Sequence, residues 1–191
     1  MTAKVAKPDL RAGKTRTALM RSFNSNVLSR GYDSALPAEI AEAAGVARST
    51  LYEHFAGKED MLRHSLLPIL EPLADSVGSS TVAPRLQFVL EHIRGSRRMA
   101  RELLKGRART VAKRTLAQLI ETRLAQLASC RTGVPRKFKA AYLASGILGL
   151  LDEWLSGHEA CPAAVLARAL QASTHAAAVA GNEEACPAWP A

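Results

Sequence analysis

Aromatic side chains are scarce, 5% of 191 residues, so any core has to be built from Leu, Ala, Ile and Val. Cysteine appears three times, at Cys130, Cys161 and Cys186, widely spaced and odd in number. With five scattered histidines these thiols make no CxxC or other ligand spacing, which argues against a disulfide framework or a zinc module and for a reducing, cytoplasmic setting. Buried or idle thiols are the expectation, with a redox-sensing cysteine as the minor alternative. No apolar run reaches the roughly 20 residues that a spanning helix needs. The basic start of the chain is not followed by the apolar stretch of a secretory signal, so no membrane association is expected. Acid is the minority charge, 17 Asp and Glu against 26 Lys and Arg, for a formal net charge of +9. That balance suits a polyanionic partner, without separating DNA from RNA or a membrane surface. Catalytic patterns are missing too: no nucleophile with a base, no paired carboxylates, no phosphate loop and no metal cluster, and His92, Asp152 and Glu153 have no motif around them. The expectation is a non-enzymatic chain with no catalytic residue, no metal and no cofactor.

What is abundant is helix-forming sequence. Hydrophobic residues are 48% of the chain, β-branched residues are few, and no credible strand pair occurs, so the expected fold class is all-α. Between residues 15 and 30, Leu19, Met20, Phe23, Val27 and Leu28 recur at helical spacing, and Gly31 supplies a stop. A short helix fits 37–44, opened by Pro37 and closed by Gly45, and another fits 48–55 with Leu51 and Phe55 inward. Lys58-Glu59-Asp60 opens a fourth helix, and 76–84 reads as the first real loop. Further helices are expected at 86–93, 99–104, 110–130, 137–155 and 162–179. The organisation expected is a flexible basic arm (1–14), a helix-turn-helix domain (15–58), a larger helical regulatory and dimerisation domain (59–180) and a disordered tail (181–191).

Residues 37–55 read helix, tight glycine turn, helix. Small Ala41 and Ala44 allow close approach, and Gly45 permits a left-handed turn. The outward face of the second helix offers Arg48, Ser49 and Thr50, then Tyr52, Glu53 and His54, all hydrogen-bonding groups on a helix short enough for a major groove.

From Gly31 to Leu62 the chain resembles the signature of the TetR family of bacterial transcriptional regulators. Gly31-Tyr32, Ile40-Ala41, Ala44-Gly45-Val46, Thr50-Leu51-Tyr52, His54-Phe55, Lys58-Glu59-Asp60 and Leu62 all stand at the family spacing. The resemblance implies an N-terminal three-helix DNA-binding domain followed by a larger helical domain that dimerises and holds a small-molecule inducer. It implies a sequence-specific regulator, by default a repressor released from a palindromic double-stranded DNA operator by that inducer. Carried over by position, Thr50, Tyr52 and Lys58 hold phosphates, Arg48 and Ser49 reach base edges, and His54 touches the backbone. Arg48 suits guanine O6 and N7. Three departures concern stability. Leu36 and Ala47 stand where the family has capping Ser or Thr, each lost cap costing about 1 kcal/mol. Phe23 and Val27 exchange a small and a large position one turn apart.

In the C-terminal half, 140–155 is apolar nearly all round, which implies burial of more than one face. Paired with 162–179 it suggests a four-helix dimer interface, with Leu150, Leu151, Leu166 and Leu170 as candidate contacts of a homodimer. Polar groups on apolar helices, His92, Tyr142, Ser145 and Trp154, are the candidate inducer contacts. Between 94 and 114 nine cations (Arg94, Arg97, Arg98, Arg101, Lys105, Arg107, Arg109, Lys113, Arg114) meet one acid, Glu102. A solvated face, a contact with phosphate flanking an operator and an entrance for an anionic inducer all fit that band.

Overall fold

The apolar periodicity of the chain is realised as helices throughout the computed structural model, which describes residues 10–127, 134–157 and 160–179. In order they are α1 (Leu10–Arg30), α2 (Pro37–Ala43), α3 (Arg48–His54), α4 (Lys58–Asp75), α5 (Pro84–Gly95), α6 (Arg97–Leu103), α7 (Gly106–Gln126), α8 (Arg136–Ser156) and α9 (Ala163–Val179). Among the described residues there is no strand. No described helix is long and apolar enough to cross a membrane. Helix α1 starts at Leu10, so residues 10–14, expected in a flexible arm, are helical. Residues 1–9, Cys130, Cys186 and the expected tail with Trp189 lie outside the described residues.

The chain divides into two compact units, Met1–Ser65 and Leu66–Ala191, and the division falls inside α4. In the first unit Leu19, Phe23 and Val27 of α1 are fully buried with Ile40, Leu51 and Phe55. Burying each such side chain is worth about 1.5–3 kcal/mol. Phe23 meets Tyr32 edge-on, with ring centroids 6.5 Å apart. Since Phe23 and Val27 are both wholly enclosed, the large-small exchange along α1 is accommodated in the core. One buried polar group crosses it: the Ser22 hydroxyl donates to the Ile40 carbonyl at 2.9 Å, fixing α1 against α2.

In the second unit α7 packs along α8, and α5 packs on α9. Three cations set the ends of these helices. Arg109 near the start of α7 pairs with Asp152 near the end of α8 at 2.8 Å, as antiparallel neighbours require. Lys139 at the start of α8 donates to the Ala178 carbonyl at the end of α9 (2.9 Å). Arg97 donates to the Leu155 and Ser156 carbonyls at 2.7 and 2.6 Å, satisfying the exposed C-terminal acceptors of α8. Gly157 follows with φ +77°, and a side chain there would run into the Arg97 guanidinium. Helix α4 continues through Pro68 and Pro72, which removes the helical donors for the His64 and Pro68 carbonyls. Buried Leu66, Leu70 and Leu73 hold it in place despite that loss.

The dimer candidates need correction. Leu151, Leu166 and Leu170 are 3%, 4% and 2% exposed, buried by their own chain, so none of them presents an outer face. Leu150 is 37% exposed and does.

Candidate nucleic-acid interface

The turn between α2 and α3 is built by backbone bonds that only a left-handed residue allows. Gly45 (φ +69°) donates to the Glu42 carbonyl at 2.9 Å, and Val46 reaches back to Ala41 at 3.0 Å. This paired closure is the Schellman arrangement, and it turns the chain sharply into α3. Neither N-terminus has a side-chain cap: Leu36 precedes α2 and Ala47 precedes α3, both in extended backbone. Pro37 in the first turn of α2 makes one missing donor irrelevant.

Helix α3 sorts its residues cleanly. Leu51 and, just past its end, Phe55 are buried, while Arg48, Ser49, Tyr52 and Glu53 are exposed and Thr50 and His54 are intermediate. Arg48 lies with its guanidinium carbon 5.6 Å from the Tyr52 ring centre and its Nη2 3.4 Å from the phenol oxygen. The two form a loosely held pair on the outer surface, the guanidinium splayed over a half-exposed ring. Arg48, Ser49, Thr50, Tyr52 and His54 are thus carried by one short helix, with bases of support on α1. Hydroxyl, phenol and guanidinium groups of this kind suit phosphate oxygens and base edges.

Lys58 differs from expectation. Its ammonium donates to the Tyr32 carbonyl (2.9 Å) and the Asp33 carbonyl (3.1 Å) and lies 4.7 Å from the Tyr32 ring centre. It therefore ties the start of α4 to the α1–α2 connection. Arg16 was missed by sequence reasoning. Its Nη1 donates to the His54 carbonyl at 3.2 Å, and its guanidinium carbon stands 4.5 Å over the Phe55 ring, so α1 holds the C-terminal end of α3. Phe55 is gripped on another edge by His64, with centroids 5.4 Å apart. No local signal in the sequence marks Arg16, because its partners lie some 38 residues away.

The candidate inducer contacts do not come together. His92, Tyr142 and Ser145 are exposed, and Ser145 donates to its own helix at Ala141 (2.7 Å). Trp154 donates to the Cys161 carbonyl (2.8 Å) and lines a groove of about 320 Å³ with Arg94, Arg97 and Cys161. A separate cavity of about 40 Å³ lies in the second unit, walled by Leu70, Leu73, Ile93, Leu103, Leu148 and Leu151 among others, and its walls carry no charged side chain. None of His92, Tyr142, Ser145 and Trp154 lines it.

Residues 27–64 match the model of the tetR family of bacterial regulatory proteins. No curated protein matches the chain in sequence. In fold it is similar to a TetR-family regulator from Streptomyces coelicolor A3, with TM-score 0.61, 18% identity, and 92% of this chain and 99% of that one covered. It is also similar to a TetR transcriptional regulator from Streptococcus agalactiae, with TM-score 0.58, 20% identity, and 87% and 96% covered. A third similar structure is NalD of Pseudomonas aeruginosa, the secondary repressor of the MexAB-OprM multidrug efflux pump, with TM-score 0.54, 23% identity, and 90% and 99% covered.

Proposed function

Because this chain carries the DNA-binding segment of the tetR family of bacterial regulatory proteins on a TetR-like all-helical fold, we propose that it is a sequence-specific repressor that binds a palindromic operator as a homodimer in the cytoplasm and leaves it when a small ligand binds. The observation that carries this reading is α3: a seven-residue helix, locked from beneath by Leu51, Phe55 and Arg16, with Arg48, Ser49, Thr50 and Tyr52 turned outward. Arg48 and Ser49 read base edges, Thr50, Tyr52 and His54 touch phosphate, and Lys58 acts by holding the α1–α2 connection.

The dimer reading rests on the outer face of α8. Phe138 and Tyr142 are 68% and 70% exposed, and Ser145, Gly146 and Gly149 continue the same stripe at helical spacing. Among the described residues neither glycine has a neighbour within 4 Å of where a Cβ would stand, so none of these requires them to be small. With Leu150 and with Val165 of α9, this surface replaces Leu151, Leu166 and Leu170 as the proposed contact. The ligand reading rests on the aliphatic cavity. Its lining suits an apolar molecule held by burial, and at about 40 Å³ it has to widen to admit one, so such a ligand would shift the protein by binding the wider form better.

Recovery of bound fragments from genomic DNA tests the whole proposal. The expected result is a shared inverted repeat, protected in two half-sites about one helical turn apart. Recovery of fragments without a common sequence would sink it.

A further inference from the structure

We propose that the face made by the end of α5, by α6 and by the start of α7 is a second DNA-binding surface, one that grips the phosphodiester backbone of duplex DNA without reading its sequence. It rests on the reading above in taking DNA as the polyanion, but it uses none of the same residues.

The internal bonding of the band separates its structural cations from its free ones. Arg97 is committed to the end of α8, Lys105 pairs with Glu102 at 3.0 Å, and Arg109 pairs with Asp152. Arg94, Arg98 and Arg101 are exposed, and among the described residues they have no acidic partner. A merely solvated helical face interleaves signs and forms pairs one turn apart. Here the sole acid of the band is already occupied by Lys105, while Arg98 and Arg101, one turn apart, repel each other. Arg97, Arg98 and Arg101 line a concave groove of about 450 Å³ with Glu102 and Lys105.

The partner follows from the shape and chemistry of the band. Guanidinium forks match phosphate oxygens in pairs, and Arg94, Arg98 and Arg101 each carry one. Exposed charge runs on beyond the groove to Arg107 and Lys113 on α7, which suits an extended polyanion better than a compact one. A membrane-surface helix adds large apolar side chains to insert among lipids. None of the exposed large hydrophobic residues falls between 94 and 114.

The test measures binding of the full-length protein to a random-sequence duplex across a range of salt concentrations. It compares wild type with Arg98→Gln/Arg101→Gln and with Arg136→Gln/Lys137→Gln, which removes the same charge outside the band. Each lost phosphate contact lowers the log–log salt slope by about 0.9. The band variant is expected to lose about 1.8 in slope and about 10–100-fold in affinity at 0.1 M salt, while the control keeps the wild-type slope. An unchanged slope in the band variant, or an equal fall in the control, would overturn the proposal. So would loss of binding to phosphatidylserine vesicles with the DNA slope intact, which would assign the band to a lipid surface. The operator reading is judged separately, by preference for a selected site over random duplex, so either idea can fail while the other stands.

Discussion

Arg48 and Arg16 sit on opposite sides of α3 and do different work. Arg48 is exposed, and among the described residues it meets the Tyr52 ring and phenol alone, which leaves most of its donors open to a base pair. Replacing it with alanine is expected to cost about 1–3 kcal/mol of discrimination at one base pair and to relax preference there. Competition among single-base operator variants measures this. Tyr52→Phe and Thr50→Ala should instead weaken binding evenly across sequences and leave its salt slope unchanged, because neither removes a charge. Arg16→Ala leaves every DNA-facing group in place but unties the end of α3. It should lower operator affinity together with the melting temperature, a coupling that Arg48→Ala does not show. At the cap, Ala47→Ser is expected to add about 1 kcal/mol of stability by giving α3 the acceptor it lacks. Gly45→Ala should cost about 1–2 kcal/mol, because the strain is in the backbone and the surrounding space is open. Thermal melts of both variants check these signs.

The helices themselves were largely legible in the sequence, because their stripes repeat within a few residues. Apolar residues at i, i+4 and i+8 gave α1, and Gly45 with Pro37 marked the turn and the second helix. What stayed hidden were the long-range ties. Lys58 finds its partners some 26 residues back, and Arg97 finds its carbonyl 58 residues on. No local pattern encodes such a pairing. Helix α8 shows a second limit. A segment apolar nearly all round announces two buried faces but not which residue serves which, so Leu151, assigned to the partner, belongs to the chain's own core, and neighbouring Leu150 is exposed. The two leucines now separate stability from assembly. Tyr142→Asp on the outer stripe is expected to yield folded monomers in sedimentation, whereas Leu151→Asp buries an unpaired charge and should unfold the protein. A dimeric Tyr142→Asp protein would count against the α8 interface.

Across the whole molecule, the proposed cycle of binding and release draws on a net charge of +9, an outward-facing α3 and an aliphatic cavity. In the proposed function the N-terminal unit supplies specificity through a few outward side chains. The second unit supplies an aliphatic cavity whose walls carry no charged side chain, built mainly from leucines that no pattern in the sequence separates from ordinary core. Enlarging that cavity by Leu103→Ala should cost about 2–5 kcal/mol of stability, part of which an apolar ligand that fills the space restores. A thermal shift series with small hydrocarbons would read this directly, and an equal response from wild type and variant would show that the cavity is not where they bind.

Sequence-specific recognition through α3 stands or falls on one titration: the affinity of the full-length protein for its selected genomic site against random duplex of equal length, at physiological salt. A preference of about 10³-fold or more is expected of a specific regulator. It should fall sharply in Arg48→Ala while affinity for random duplex barely changes. Equal affinity for the two duplexes, or a preference indifferent to Arg48, would mean that α3 does not read sequence.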